Sequence, residues 1–140
     1  MASVEEAIIA LCDGRTALVS RFAARVYDTV LPADNVTPQT YPALTFQVLE
    51  RRDTRTFGAN GKEYPVSVQL DVWALTAADR RNAAIDLRTA LSTWSGPWGG
   101  VTVFRAFKEQ DLDSHEDWGD GGPFPVFRNI QRWTVWIREP

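Results

Sequence analysis

PVSVQLDVWALTAADRRNAAIDLRTALSTW, residues Pro65 to Trp94, carries two hydrophobic periods back to back. Val66, Val68, Leu70, Val72 and Ala74 alternate with Ser67, Gln69, Asp71 and Trp73, and a period of two lines one face of a strand with apolar side chains. The alternation stops at Thr76. Thr76 followed by Asp79 fits a helix start, because a hydroxyl accepts from an orphan backbone N–H and a carboxylate is favoured at the positive end of the helix. Ala77, Ala84, Leu87, Leu91 and Trp94 then recur at helical spacing, which turns one stripe to a core and leaves Arg80, Arg81, Asp86 and Arg88 to water. Gly96-Pro97 ends the run.

Upstream, Ser3 and Glu6 form a capping signature ahead of Val4, Ala7, Ile8 and Leu11, a short helix broken at Asp13-Gly14. Arg15 to Ala24 has helix-like composition with weak phase. Arg25-Val26-Tyr27 reads as a brief strand before a loop with Pro32, Pro38 and Pro42. Leu44, Phe46 and Val48 alternate with Thr45, Gln47 and Leu49, a strand running into Glu50-Arg51-Arg52-Asp53. Phe57-Gly58-Ala59-Asn60-Gly61 makes the tip of a hairpin to the strand around 64–74. Downstream, Val101, Val103 and Arg105 alternate with Thr102, Phe104 and Ala106 in a strand of about seven residues. Residues 109–126 hold six acids, three glycines, two prolines and no lysine or arginine, and this composition reads as a long acidic loop. From Phe127 to Glu139, Asn129, Gln131, Trp133, Val135 and Ile137 alternate with Arg128, Ile130, Arg132, Thr134, Trp136 and Arg138. The pattern predicts one α+β domain over residues 1–140, with a mainly antiparallel sheet of four to five strands and two helices packed on one face.

The chain has 140 residues, 44% hydrophobic and 24% charged, enough for one ordinary globular core. Its net charge of -3 gives no basic footprint for gripping nucleic acid. The single cysteine, Cys12, rules out an intramolecular disulfide and reads as a small buried hydrophobe. Met1 to Glu6 is acidic, without the basic start and apolar centre of a signal peptide, and no apolar run approaches a membrane span, so synthesis and folding in a cytoplasm are expected.

Catalytic and metal patterns fail one at a time. His115, the one histidine, stands in the acidic segment with no orienting neighbour, so a Ser-His-Asp arrangement has no base. Asp111-Leu-Asp113-Ser-His115-Glu116 resembles a calcium loop, but His115 takes a ligand position, Glu116 replaces the glycine and Gly122 stands where the bidentate glutamate belongs. Gly61-Lys62 lacks the flanking residues of a phosphate loop. No enzyme, cofactor or metal is expected. Of six tryptophans, Trp73 and Trp94 sit on or beside core stripes, Trp98 and Trp118 lie among glycines, and Trp133 and Trp136 point opposite ways on one strand. One of that last pair must leave the core, and exposed aromatic area tends to mark an interface.

Taken in order, Arg25-Val26-Tyr27 with Leu31-Pro32, Tyr41-Pro42-Ala43-Leu44-Thr45-Phe46, Val68 to Ala74 followed by the Arg81 to Leu91 helix, and Gln131-Arg132-Trp133-Thr134-Val135-Trp136 carry a resemblance. The chain resembles the tail-completion, or tail-terminator, proteins of long-tailed phages, the family that also supplies the tail-to-head joining protein. The resemblance implies a virion subunit, assembled in the host cytoplasm, that forms a homo-oligomeric ring of six. Such a ring caps the tail-tube protein, meets the head-completion or stopper protein of the neck, and lets DNA pass without specific binding. Another neck or connector component of the same virion is the alternative, and a small-ligand module around Trp98 and Trp118 a more distant one. Interface candidates are the hairpin residues Arg51, Arg52, Arg55, Phe57 and Lys62, the acidic-segment residues Asp111, Asp113, Glu116, Asp117 and Trp118, and Trp136. In a ring, one subunit's acids would meet the next subunit's bases.

Overall fold

The computed structural model describes residues 3–23, 25–28, 42–51, 62–117 and 125–139, with the backbone alone at 62, 63, 115–117, 125, 126 and 139. Three helices, α1 (Val4–Gly14), α2 (Thr16–Phe22) and α3 (Ala77–Ser92), pack on one face of a sheet. Its strands are β1 (Val26–Asp28), β2 (Ala43–Arg51), β3 (Lys62–Ala74), β4 (Gly96–Trp98), β5 (Val101–Asp117) and β6 (Pro125–Glu139). In space they run β1-β2-β3-β6-β5-β4, so the last strand enters the middle. There β6 pairs antiparallel with β3 from Lys62↔Glu139 to Ala74↔Phe127, and with β5 from Thr102↔Arg138 to Asp117↔Pro125.

The 65–94 stretch folds as its periods require. Val66, Val68, Leu70, Val72 and Ala74 are fully buried on the helix side, and the Thr76 hydroxyl accepts from Asp79 N at 3.1 Å to start α3. Ser3 caps α1 in the same way, accepting from Glu6 N at 3.2 Å. One apolar cluster joins Val4, Ile8 and Leu11 of α1, Leu18 and Phe22 of α2, Leu87 and Leu91 of α3, and Trp133, Val135 and Ile137 of β6. Gly99, at φ +59°, lets the turn before β5 approach α1: a Cβ there would lie 2.7 Å from the Glu6 carbonyl carbon.

Two counts are corrected: six strands instead of four to five, and three helices instead of two, among the described residues. In α2 only Leu18 and Phe22 are buried, one i, i+4 pair, too little for a readable period. Gly96-Pro97, read as a helix stop, also opens β4, an edge strand where the missing N–H of proline costs no ladder bond. The sheet is mixed because β1 runs parallel to β2, from Val26↔Leu44 to Asp28↔Phe46. Most consequentially, the segment read as an acidic loop from 109 is strand as far as Asp117, and β6 starts at Pro125. Trp98, which no local pattern buried, packs against the core with the Arg15 guanidinium 5.6 Å from its ring centre.

Leu87 and Leu91 sit in the middle of the core, so Leu87→Ala or Leu91→Ala is expected to cost about 2–5 kcal/mol in urea unfolding. Wild-type stability together with failed assembly would make that helix face an interface instead. Burial, reinforced by the Asp13 carboxylate, pushes the Cys12 thiol from an ordinary 9.0 up to about 12. The folded chain keeps this proton where the unfolded chain has released it, so the contribution is full below about pH 9 and is lost towards pH 12. Stability of Cys12→Ala should therefore fall less steeply than wild type across that window, and equal slopes would mean that the folded thiol ionises like a free one.

Candidate functional site

The acids of β5 are turned by bulges. At Phe104 and at Glu109 the strand carries one extra residue against β6, and each insertion inverts which side chains face the helices. Ala106 then lies opposite Val135, Lys108 opposite Trp133, Asp111 opposite Gln131 and Asp113 opposite Asn129. The expected alternation, which grouped Arg105 with Val101 and Val103, is thus corrected: Arg105 stands opposite Trp136 on the other face.

Asp111 and Asp113 consequently meet α3. Arg88 Nε lies 2.8 Å from Asp111 Oδ2, Lys108 Nζ lies 3.4 Å from the same oxygen, and Arg80 Nε lies 3.6 Å from Asp113 Oδ1. Arg80 and Arg88, read from sequence as solvent-facing, are partners of the strand. Behind the acids runs a ladder of amides. Asn129 Nδ2 donates to Asp111 Oδ1 at 2.8 Å and to Asp113 Oδ1 at 2.9 Å. Gln131 Nε2 donates to Asn129 Oδ1 at 2.9 Å and to the Ala84 carbonyl of α3 at 3.2 Å, while Trp133 Nε1 donates to Gln131 Oε1 at 2.9 Å. Asn129 is 1% exposed and Gln131 0%, so these bonds, with a longer one from Asn129 Nδ2 to the Leu112 carbonyl at 3.4 Å, offset their desolvation.

Among the described residues no helix packs on the other face of the sheet. One end of it is closed by its own side chains: Trp73 Nε1 donates to Thr45 Oγ1 at 3.0 Å, and Arg128 pairs with Asp71 at 2.6 Å while lying 4.7 Å from the Trp73 ring centre. The other end is aromatic and exposed. Phe104 and Phe107 keep 40% and 42% of their surface, with the Arg138 guanidinium 5.0 Å from the first ring centre and that of Arg105 4.6 Å from the second. Trp136 stands between two grooves, one of about 430 Å³ shared with Phe104, Arg105 and Phe107, the other of about 570 Å³ shared with Leu49, Pro65, Glu109 and Arg132. Scattered surface apolars are ordinary, but contiguous aromatics with stacked arginines are the composition of an interaction surface.

Of the residues singled out from sequence, Trp136 belongs to this face and its neighbour Trp133 to the core. Arg51 follows a bulge at Leu49, faces the helices and pairs with Glu5. Partial burial pushes the Glu5 carboxyl up, but its own backbone N–H and Arg51 together hold it below its ordinary value. Lys62 pairs in register with Glu139, whereas Glu116 and Asp117 pair with Val126 and Pro125, so Lys62 and these two acids lie at opposite ends of β6. Fifteen strand residues span about 50 Å, which keeps the two groups apart within one chain. Arg52, Arg55, Phe57 and Trp118 lie outside the described residues. Phe104, Arg105, Phe107 and Arg138 were missed, although an interval of three between two phenylalanines breaks strand alternation and signals a bulge. Among the described residues there is no cluster of three or more His, Cys, Asp or Glu able to hold a metal, and no helix is long and apolar enough to cross a membrane.

Asn129→Leu strips Gln131 and two carboxylates of a partner, so a loss of about 1–3 kcal/mol is expected in urea unfolding. Adding Gln131→Leu should cost less than the sum of the single changes, because the second amide no longer has the first to satisfy. Additive losses would dissolve the ladder into independent contacts.

No protein-family model and no curated protein sequence matches the chain. A chain of the solved structure "Virion of native gene transfer agent (GTA) particle" matches it at a TM-score of 0.68 and 12% identity, over 98% of this chain and 95% of that one. A second solved chain, 15% identical over 96% and 95%, reaches a TM-score of 0.45 and carries no argument. At such identity the first likeness is one of fold, and it runs from end to end of both chains.

Proposed function

We propose that this chain is a structural subunit of a phage-like virion, a tail terminator whose copies form a ring of six that ends the tail tube and joins it to the neck. The observation that carries this reading is the end-to-end fold likeness to a chain of a gene transfer agent virion. The motif order that resembles tail-completion proteins supplies the finer assignment. An exposed aromatic face suits a subunit built to be covered by another protein, and a net charge of -3 suits a ring through which DNA passes without being held. Tube and stopper proteins are the partners of such a ring, and the finished particle is its location. No catalytic role is part of the reading.

Contact between the hairpin bases, Arg51, Arg52, Arg55 and Lys62, and the acids Asp111, Asp113, Glu116 and Asp117 of a neighbouring subunit belongs to the same proposal. Arg51, Asp111 and Asp113 already have partners in their own chain, so that contact would exchange one ion pair for another. An exchange sets register more than strength, since partly exposed pairs contribute up to about 1 kcal/mol. Likeness to a virion chain also fits another neck component, and ring size separates the two. Mass measurement on the protein alone and mixed with tube subunits, with images of assembled tails, is expected to give six copies at the end of the tube. A stable ring of five or twelve would overturn the assignment.

A further inference from the structure

We propose that the aromatic end of the open sheet face receives helix α1 of a second copy of this chain, in a head-to-tail contact; this rests on the ring-subunit reading. The face offers Phe104, Phe107 and Trp136 around a groove of about 430 Å³, with the guanidinium groups of Arg105 and Arg138 over the two phenylalanine rings. Two such aromatic ends stacked on each other would set arginines against arginines, since the acids of this face, Glu50 and Glu109, line the neighbouring groove instead. A head-to-tail contact avoids this and is the geometry that closes into rings. It requires an acidic and apolar surface elsewhere on the same chain.

Charge chooses that surface. Among the described residues each helix exposes one large apolar side chain, Ile9 on α1 at 44%, Val19 on α2 at 42% and Ile85 on α3 at 45%. Neighbours three and four residues away share the stripe. For Ile85 they include Arg81 and Arg88, of the wrong sign, and for Val19 they are Arg15, Thr16, Phe22 and Ala23, without an acid. For Ile9 they include Glu6 and Asp13, both exposed, giving an acid–apolar–acid stripe. Seven helical residues separate the two acids by about 10 Å. Arg105 lies opposite Trp136, two positions from Arg138 along β6 and one strand over, so the two arginine backbones are about 8–9 Å apart. The spacings match within the reach of the side chains. Single-stranded nucleic acid could stack on the same rings, but two arginines at this end neutralise few phosphates, which makes protein the better fit.

The test is a mixing experiment on the full chain. One variant carries Arg105→Glu and Arg138→Glu, the other Glu6→Arg and Asp13→Arg, and each is checked for wild-type thermal unfolding. Glu6 lies in the first turn of α1, so Asp13→Arg alone replaces the pair if the double variant unfolds early. Each variant by itself should assemble, alone or on tube subunits, at least about tenfold more weakly than wild type. A one-to-one mixture should restore rings with alternating copies, a pattern only even-numbered rings allow. Variants that assemble like wild type, a mixture no better than its components, or a wild type that stays a single chain even with tube subunits would overturn the contact. Oligonucleotide binding that is lost in Arg105→Glu/Arg138→Glu while rings persist would overturn it in favour of a nucleic-acid face. Rings that obey the mixing rule but never end a tube would sink the terminator reading and leave the contact standing, whereas sixfold tail caps indifferent to the swap would do the reverse.

Discussion

The buried amides of Asn129 and Gln131 are the constraint on which the rest of the fold depends. They sit on β6, which enters the middle of the sheet last in sequence and must pair with β3 on one side and β5 on the other. A buried amide accepts few arrangements: Gln131 needs the Ala84 carbonyl of α3 and the Trp133 indole, while Asn129 needs two carboxylates at fixed positions on β5. Shifting β6 by one residue would put both amides on the open face and bring Arg132 and Ile130 inward. Register is therefore specified by polar satisfaction as much as by apolar burial.

That constraint also explains why β5 is bulged. An unbroken alternation from Val103 would carry Arg105, Phe107 and Glu109 toward the helices. One extra residue at Phe104 sends Arg105 and Phe107 outward, and a second at Glu109 brings Asp111 and Asp113 under the α3 arginines. The same two insertions thus build the polar ladder on one face and the aromatic patch on the other. The candidate interaction face is in this sense a by-product of solving the inner face, and the two cannot be altered independently by shifting the strand.

Sequence reading succeeded where one period ran without interruption. The strand Val66–Ala74, the capped helices after Ser3 and Thr76, and the division of Trp133 from Trp136 follow from local pattern, because each rests on a simple repeat, marked in the two helices by a hydroxyl cap as well. It failed where the deciding partner was distant. The acids from 109 onward look like a solvated loop until Arg80 and Arg88, more than twenty residues upstream and on another element, are placed above them. Strand β4 and helix α2 are too short to show a period, and a bulge erases the period it interrupts. Trp136 was legible as a residue that leaves the core, but its neighbours Phe104, Arg105 and Phe107 were not, because their orientation depends on that bulge.

The two sides of the molecule differ in what they present. Inside, the charges that could have repelled one another are matched: α3 neutralises β5, Arg21 ties α2 to Asp86 at 2.7 Å, and Arg51 engages Glu5. Outside, arginine and aromatic rings collect at one end of the open sheet face, while the exposed stripe of α1 carries acids about an isoleucine. In the proposed head-to-tail contact these unlike surfaces meet, which is what electrostatic complementarity favours. Repetition of an unlike-face contact either closes into a ring or runs on as a filament, and which of the two occurs depends on the angle between the faces.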